Sequence, residues 1–370
     1  MPSKLLNLDS KPAVEQKNIP RLMDACLFYG PHDVRLEKIK TPEITDSEIL
    51  VKIDTALTCG TDLKTYKRGH PKLIRAVPSA FGHQFSGTVV KVGHNVNKFH
   101  TGQRVVALNT APCFKCTFCY SEKYNLCESI EFLNGAYAQY IAIPEKIVDF
   151  NTYEIPHGIS FELAALLESL SVVIHGYEKS TIPKDKTLCI IGSGSIGLLF
   201  CALARLNGVK KIILVGRKDF KLKIAGELGA DYIFNLTNYA TYDDLVKEVY
   251  SVNDGYGPDI VIEAVGIPES WDLAVKIVGR GGLINFFGGC KKGSKIEVDT
   301  YRLHYDELKL IGVFHHTPKH VKTALDLIKD KLFNEDIAKK IITHSLSLSE
   351  LEKAFLLHES GEAIQVAIKP

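Results

Sequence analysis

The chain has 370 residues, 45% of them apolar and 24% charged, which is ordinary for a globular protein and longer than one hydrophobic core sustains. Its 45 basic and 43 acidic side chains leave a formal charge of +2, too near balance to argue for a nucleic-acid or membrane-surface partner. No run approaches the roughly 18 consecutive apolar residues that cross a bilayer. Residues 1–22, polar and broken by Pro2, Pro12 and Pro20, lack a secretory apolar core and read as a surface arm or disordered extension of a cytoplasmic protein.

From about residue 24 to 155 the pattern is β-rich. Ile49–Leu57 alternates like a half-buried strand, as do the runs GTVVKVG (Gly87–Gly93) and RVVAL (Arg104–Leu108), with glycines and prolines between them. From about Thr187 strand and helix alternate. TLCII leads through a glycine turn into IGLLFCALARLNG, and KIILVG, FKLKIAGELGA, DYIFN, YDDLVKEVYSV, DIVIEAVG, SWDLAVKIVG, GLINFFGG and LKLIGVF follow. That order predicts a parallel sheet wound on both faces. KHVKTALDLIKDKLF then has helical periodicity, and the strand-like AIQVAIK (Ala363–Lys369) suggests a return to the first domain.

Gly192-Ser193-Gly194-Ser195-Ile196-Gly197 fits G-x-G-x-x-G. The string is common, but here it follows a strand and opens a helix. The first glycine permits the turn, the second admits a pyrophosphate to the backbone, and the third lets helix and strand pack. About twenty residues on, where a carboxylate would hold the ribose 2′-hydroxyl of NAD, the chain has Gly216, Arg217 and Lys218. A missing carboxylate followed by two cations favours NADP, with NAD the alternative.

Of nine cysteines, Cys113, Cys116, Cys119 and Cys127 crowd into one loop-like stretch. Four thiolates can close a tetrahedral shell around a structural zinc. A four-iron cluster shares the spacing of the first three cysteines but wants its fourth cysteine closer and followed by proline. A disulfide network is disfavoured in a reducing compartment.

Three further residues stand out. Cys59 follows the Ile49–Leu57 strand in Cys59-Gly60-Thr61-Asp62, His83 lies in Gly82-His83-Gln84, and Glu168 sits inside the apolar segment LAALLESLSVVIHG. A lone cysteine or histidine is usually structural, but a carboxylate flanked by apolar residues wants a partner.

Taken together, CGTD, GHQFSG, the four-cysteine stretch, ALLES, GSGSIG and GGLINFFGG resemble the zinc-dependent medium-chain dehydrogenase/reductase superfamily, in its order and across nearly the whole chain. The resemblance is strongest to polyol-, sugar- and cyclitol-type members. It implies an α/β chain with a GroES-like β-rich catalytic domain and a Rossmann domain. The expected boundaries are an extension over 1–22, the catalytic domain over 23–180 with a zinc lobe at about 109–130, the nucleotide domain over 181–318, and a return to the catalytic domain over 319–370.

It also implies two zinc ions per chain: a catalytic one on Cys59, His83 and Glu168 with an open fourth position, and a structural one on Cys113, Cys116, Cys119 and Cys127. Asp62 would orient His83, and Thr61 would relay the substrate proton. The cofactor would touch residues 192–197, Gly216, Arg217, Lys218, Val265 and His315. His315 or His316 in GVFHHTP could contact substrate or cofactor, or both are merely polar loop residues. The expected reaction passes hydride between nicotinamide and an alcohol or carbonyl, in a homodimer or homotetramer.

Two positions depart from the family pattern. Gln84 replaces the usual glutamate after the zinc histidine, and Lys64 stands where members with a longer proton relay have histidine. Lys64, Lys67, Arg68 and Lys72 add positive charge near the expected site, which favours an anionic or polyhydroxylated substrate or marks a solvated loop. Two rival readings are a zinc-free reductase of the same superfamily, which would lack both cysteine-bearing sites, and a non-catalytic NADPH-binding protein that keeps only the fold.

Overall fold

The computed structural model describes residues 19–70 and 73–370. Most of the arm expected over residues 1–22 lies outside them, as does Lys72, and Leu22 already belongs to the strand Leu22–Gly30.

The N-terminal part is built on a seven-stranded sheet. Along it run Thr152–Glu154, Arg104–Ala107, Phe85–Val92, Ile49–Leu57, Gln365–Lys369 and Ile342–Ser347, with Tyr140–Ile143 also paired to Ile49–Leu57. The central strand Ile49–Leu57 is buried almost throughout because neighbours flank it on both edges. The closing strand Gln365–Lys369 lies antiparallel to it through Ala367 and Ile368, so the last residues complete the first sheet. A three-stranded sheet of Asp33–Lys40, Leu22–Gly30 and Ser79–Ala80 lies beside it.

The second unit is a six-stranded parallel sheet. Numbered in chain order from Thr187–Ile191, its strands lie 3-2-1-4-5-6, the doubly wound order in which ligands bind outside the carboxyl ends of the strands where the order reverses. Thr187–Ile191 and Ile260–Glu263 are buried at every position, as strands covered on both faces must be.

The helix Leu167–Ser180 joins the two units. Its first ten residues, Leu167 to Gly176, are all buried, and only Glu178 and Lys179 near its end are exposed. One continuous core takes Leu57 and Val106 from the first sheet, Leu170 and Val173 from this helix, Leu188 and Ile190 from the second sheet, and Val321 and Leu325 from the helix Pro318–Lys329. The first turn of Leu167–Ser180 carries Glu168 to the seam between the units.

Candidate active site

Cys59 caps the helix Gly60–Arg68, which leaves the strand Ile49–Leu57 at the edge of the seam. Asp62, in the first turn, accepts the Cys59 N–H at 3.0 Å on one oxygen. Its other oxygen, Oδ1, accepts His83 Nδ1–H at 2.9 Å, and the Tyr137 hydroxyl donates to Oδ2, beside the Cys59 N–H, at 2.9 Å. Burial alone would push the Asp62 carboxyl up, but the facing His83 ring and these donors hold it below the usual carboxylate range.

With Nδ1 so engaged, His83 turns Nε2 towards Cys59 Sγ, 3.6 Å away. Zinc bonds of about 2.3 Å to sulfur and 2.05 Å to nitrogen span a tetrahedral edge of roughly 3.6 Å, so this pair already has the separation of two ligands on one ion. Backbone geometry supports the arrangement. Gly82 has φ +87°, and a Cβ there would lie 2.7 Å from the Tyr137 ring, so only glycine lets the His83 segment pass that close.

The third expected ligand stands slightly apart. Gln84, fully buried, donates its amide to Glu168 Oε2 at 2.5 Å and to Ser169 Oγ at 2.9 Å, and its carbonyl oxygen accepts Gln365 Nε2–H at 3.2 Å. The residue that departs from the family pattern is therefore the clamp on Glu168. A carboxylate at 84 would set two acids against each other. Burial pushes the Glu168 carboxyl up, against the lowering effect of His83 and the Gln84 amide.

The donor atoms of Glu168, His315 and His316 lie within 4.8 Å of one another, as do those of Cys59, Asp62 and His83. His316 is 3% exposed, and neither of its ring nitrogens has a hydrogen-bond partner among the described residues. Burial, then the neighbouring His315, His320 and His175 rings, hold it neutral. His315 shares a 2.7 Å hydrogen bond with Thr110 Oγ1, and its carbonyl accepts His175 Nδ1–H at 2.6 Å. Thr61 is half-buried in the first turn of the helix Gly60–Arg68. Lys64 donates to the carbonyls of Val265 at 3.3 Å and Gly289 at 3.1 Å, so it reaches the second unit.

The sulfurs of Cys113, Cys116, Cys119 and Cys127 also lie within 4.8 Å of one another, with Cys116 and Cys119 3.6 Å apart and Cys113 and Cys119 4.0 Å apart. Four bonds of about 2.3 Å imply edges of roughly 3.8 Å. All nine cysteines are free thiols. Only the short helix Thr117–Tyr120 and the turn Tyr124–Leu126 give this lobe regular structure. The backbone N–H of Glu128 heads the donors that lower the Cys116 thiol to about 6, whereas burial raises Cys119 to about 12.

The glycine turn fits a dinucleotide at each position. A Cβ on Gly192, at φ +117°, would meet Val265 Cγ2 at 2.9 Å, and one on Gly197 would strike the Gly192 carbonyl at 1.8 Å. One on Gly194 would meet nothing within 4 Å, so the second glycine faces open space at the head of the helix Ser195–Leu206. Ser193 and Ser195 are buried and Ile196 packs against the core. Gly216 ends its strand with Ser193 Oγ 2.4 Å from where its Cβ would lie, and Arg217 and Lys218 follow exposed.

Two contributors went unread in the sequence. Tyr137, which braces Asp62, lies in a stretch with no motif. Glu263, fully buried, accepts Val265 N–H at 2.7 Å, Gly266 N–H at 2.8 Å and Ser270 O–H at 2.7 Å, and so shapes the cleft wall. A carboxylate inside the apolar run DIVIEAVG is the same signal that singles out Glu168.

Comparison with known proteins agrees with this geometry. Residues 45–151 match the alcohol dehydrogenase GroES-like domain, and residues 195–330 match the zinc-binding dehydrogenase domain. A sorbitol dehydrogenase of Bombyx mori is 31% identical over 347 residues, covering 93% of this chain and 97% of its own. D-xylulose reductase A of Aspergillus oryzae is 29% identical, covering 92% of this chain and 95% of its own. A zinc-binding dehydrogenase structure from Sinorhizobium meliloti 1021, bound to NADP, superposes with a TM-score of 0.85 at 27% identity, covering 94% of this chain and 99% of that one. Two matched domain models and relatives of sorbitol dehydrogenase and D-xylulose reductase type covered nearly end to end show that this chain belongs to the zinc-dependent medium-chain dehydrogenase superfamily.

Proposed function

We propose that the protein is a zinc-dependent, NADP(H)-preferring alcohol or polyol dehydrogenase that works also, or mainly, as a carbonyl reductase. The observation that carries the reading is the Cys59 Sγ–His83 Nε2 separation of 3.6 Å with Asp62 fixing the far side of the ring. Cys59, His83 and Glu168 are the ligands of the catalytic ion, and Cys113, Cys116, Cys119 and Cys127 those of a structural one. Zinc on the first set supplies Lewis acidity to a substrate oxygen, and a nicotinamide at the glycine turn supplies or accepts the hydride.

The protein residues divide the remaining work. Residues 23–180 and 319–370 hold the metal and substrate side, and 181–318 hold the cofactor. Asp62 fixes the His83 tautomer, so Nε2 keeps its lone pair for the ion. Gln84 orients Glu168 without adding charge. Thr61, in the turn after Cys59, exchanges the proton of the substrate hydroxyl. Residues 192–197, Val265 and His315 would hold the nicotinamide cofactor, with its pyrophosphate at the glycine turn. Arg217 and Lys218, exposed beyond Gly216, grip a 2′-phosphate.

Elemental analysis with a paired-cofactor assay tests this. Two zinc ions per chain are expected, together with oxidation of NADPH by aldehydes, ketoses or inosose-type ketones and a clear preference over NADH. Zinc-free protein, or equal turnover with both cofactors, overturns the respective part.

A further inference from the structure

The three expected ligands of the catalytic ion fall into two groups in space. Cys59 and His83 stand together with Asp62, whereas Glu168 clusters with His315 and His316. His316 is the unexplained member. Its ring is sealed from solvent, yet both nitrogens lack hydrogen-bond partners among the described residues. A buried polar group left unsatisfied is costly, so a polar ligand that completes it is the natural explanation.

We propose that Glu168, His315 and His316 form a further metal position, which takes a divalent transition-metal ion and shares Glu168 with the Cys59–His83 position. Two imidazoles and one carboxylate are the donor set of many open zinc sites, and they favour zinc, cobalt, nickel or copper over magnesium or calcium. The supporting contacts are in place. Thr110 Oγ1 holds the His315 ring, His175 pins the His315 carbonyl, and Gln84 fixes one Glu168 oxygen.

The backbone contributes as well. His315 has φ +60°, a left-handed conformation uncommon outside glycine, and it brings the adjacent rings to 4.0 Å between centroids. In an extended segment consecutive side chains would point to opposite faces. Bonds of about 2.05 Å need donor separations of roughly 3.4 Å. Closure from separations of at most 4.8 Å is therefore a side-chain movement of about an ångström.

The idea rests on the zinc reading only in sharing Glu168, and the test separates the two. Zinc-loaded protein, its zinc counted first, is titrated with cobalt(II) alone. The expected result is one additional cobalt per chain with visible d–d bands of imidazole and carboxylate ligation. No thiolate-to-cobalt charge-transfer band appears, and the zinc is retained.

His316→Ala and His316→Phe should each lose that equivalent, or bind it at least tenfold more weakly, with an unchanged zinc count. His320→Ala, in the neighbouring stacked ring pair but outside the donor set, should retain it. No further uptake by the wild type, uptake with a thiolate band, or equal uptake by both His316 variants overturns the proposal. A starting zinc count that does not fall in Cys59→Ala overturns the catalytic-zinc assignment instead, whatever the cobalt result.

Discussion

Two cysteine-bearing regions of this molecule solve opposite problems. The lobe of Cys113, Cys116, Cys119 and Cys127 has four like donors, two of them half-exposed, on loops with barely a turn of helix. It has little core of its own, so its shape depends on whatever ties the sulfurs together. The cleft has unlike donors, buried and held by scaffold. Cys59 sits where strand meets helix, His83 is locked by Asp62, and Glu168 stands on a helix packed into the shared core. There the protein's scaffold holds the donors in place, whereas in the lobe an ion on the four sulfurs would be what holds the protein in shape.

That contrast can be broken by experiment. Removing the cleft thiol has the largest expected effect. Cys59→Ala should keep the melting temperature within a few degrees, halve the zinc content, and lower kcat/KM by roughly a thousandfold or more, the value of several kcal/mol of Lewis-acid stabilisation. A fully active Cys59→Ala would sink the assignment. Cys116→Ser should do the reverse. It loses the other zinc and destabilises the fold, by on the order of several kcal/mol, as loss of a structural ion does. Calorimetry with elemental analysis checks it, and unchanged melting would mean that the lobe stands without metal.

Arg217→Ala touches neither region and should leave both metals in place. NADPH affinity should fall by about 10- to 100-fold, the worth of a charge-assisted hydrogen bond, with NADH affinity unchanged. A titration of cofactor fluorescence reads this directly, and equal losses for both cofactors would remove the 2′-phosphate role. Gln84→Glu is the mildest. Replacing the amide that donates to Glu168 by an acid should speed zinc exchange and change kcat/KM by less than about tenfold. Slower exchange measured with isotopic zinc would contradict the clamp described here.

What the sequence revealed and what it hid follow from the range of the interactions. The parallel sheet, the glycine turn and the cysteine spacing are local patterns, legible because strand and helix periods and turn chemistry are written within a few residues. Cys59, His83 and Glu168 were legible through short motifs and through a carboxylate in an apolar helix. Gln84 was visible as an oddity but not as a clamp, because its partners are Glu168 and Gln365, the latter 281 residues away. Tyr137 carries no local signal at all, since its role is a hydrogen bond to a side chain 75 positions earlier. His315 and His316 were seen, but only the fold shows that Glu168 shares their corner.

The closing strand Gln365–Lys369 has a consequence for how the protein is made. Val366 exchanges hydrogen bonds with Thr58, beside the cleft cysteine, across 308 residues, and Gln365 reaches Gln84. The corner around Cys59 and Gln84 therefore stays unfinished until residues 365–369 have been made and have paired with the strand Ile49–Leu57. Until then the central strand lacks its neighbour along that edge, an exposure of the kind that invites aggregation during synthesis. Chains from which residues 365–369 are deleted should accumulate as insoluble protein rather than as a weakened enzyme.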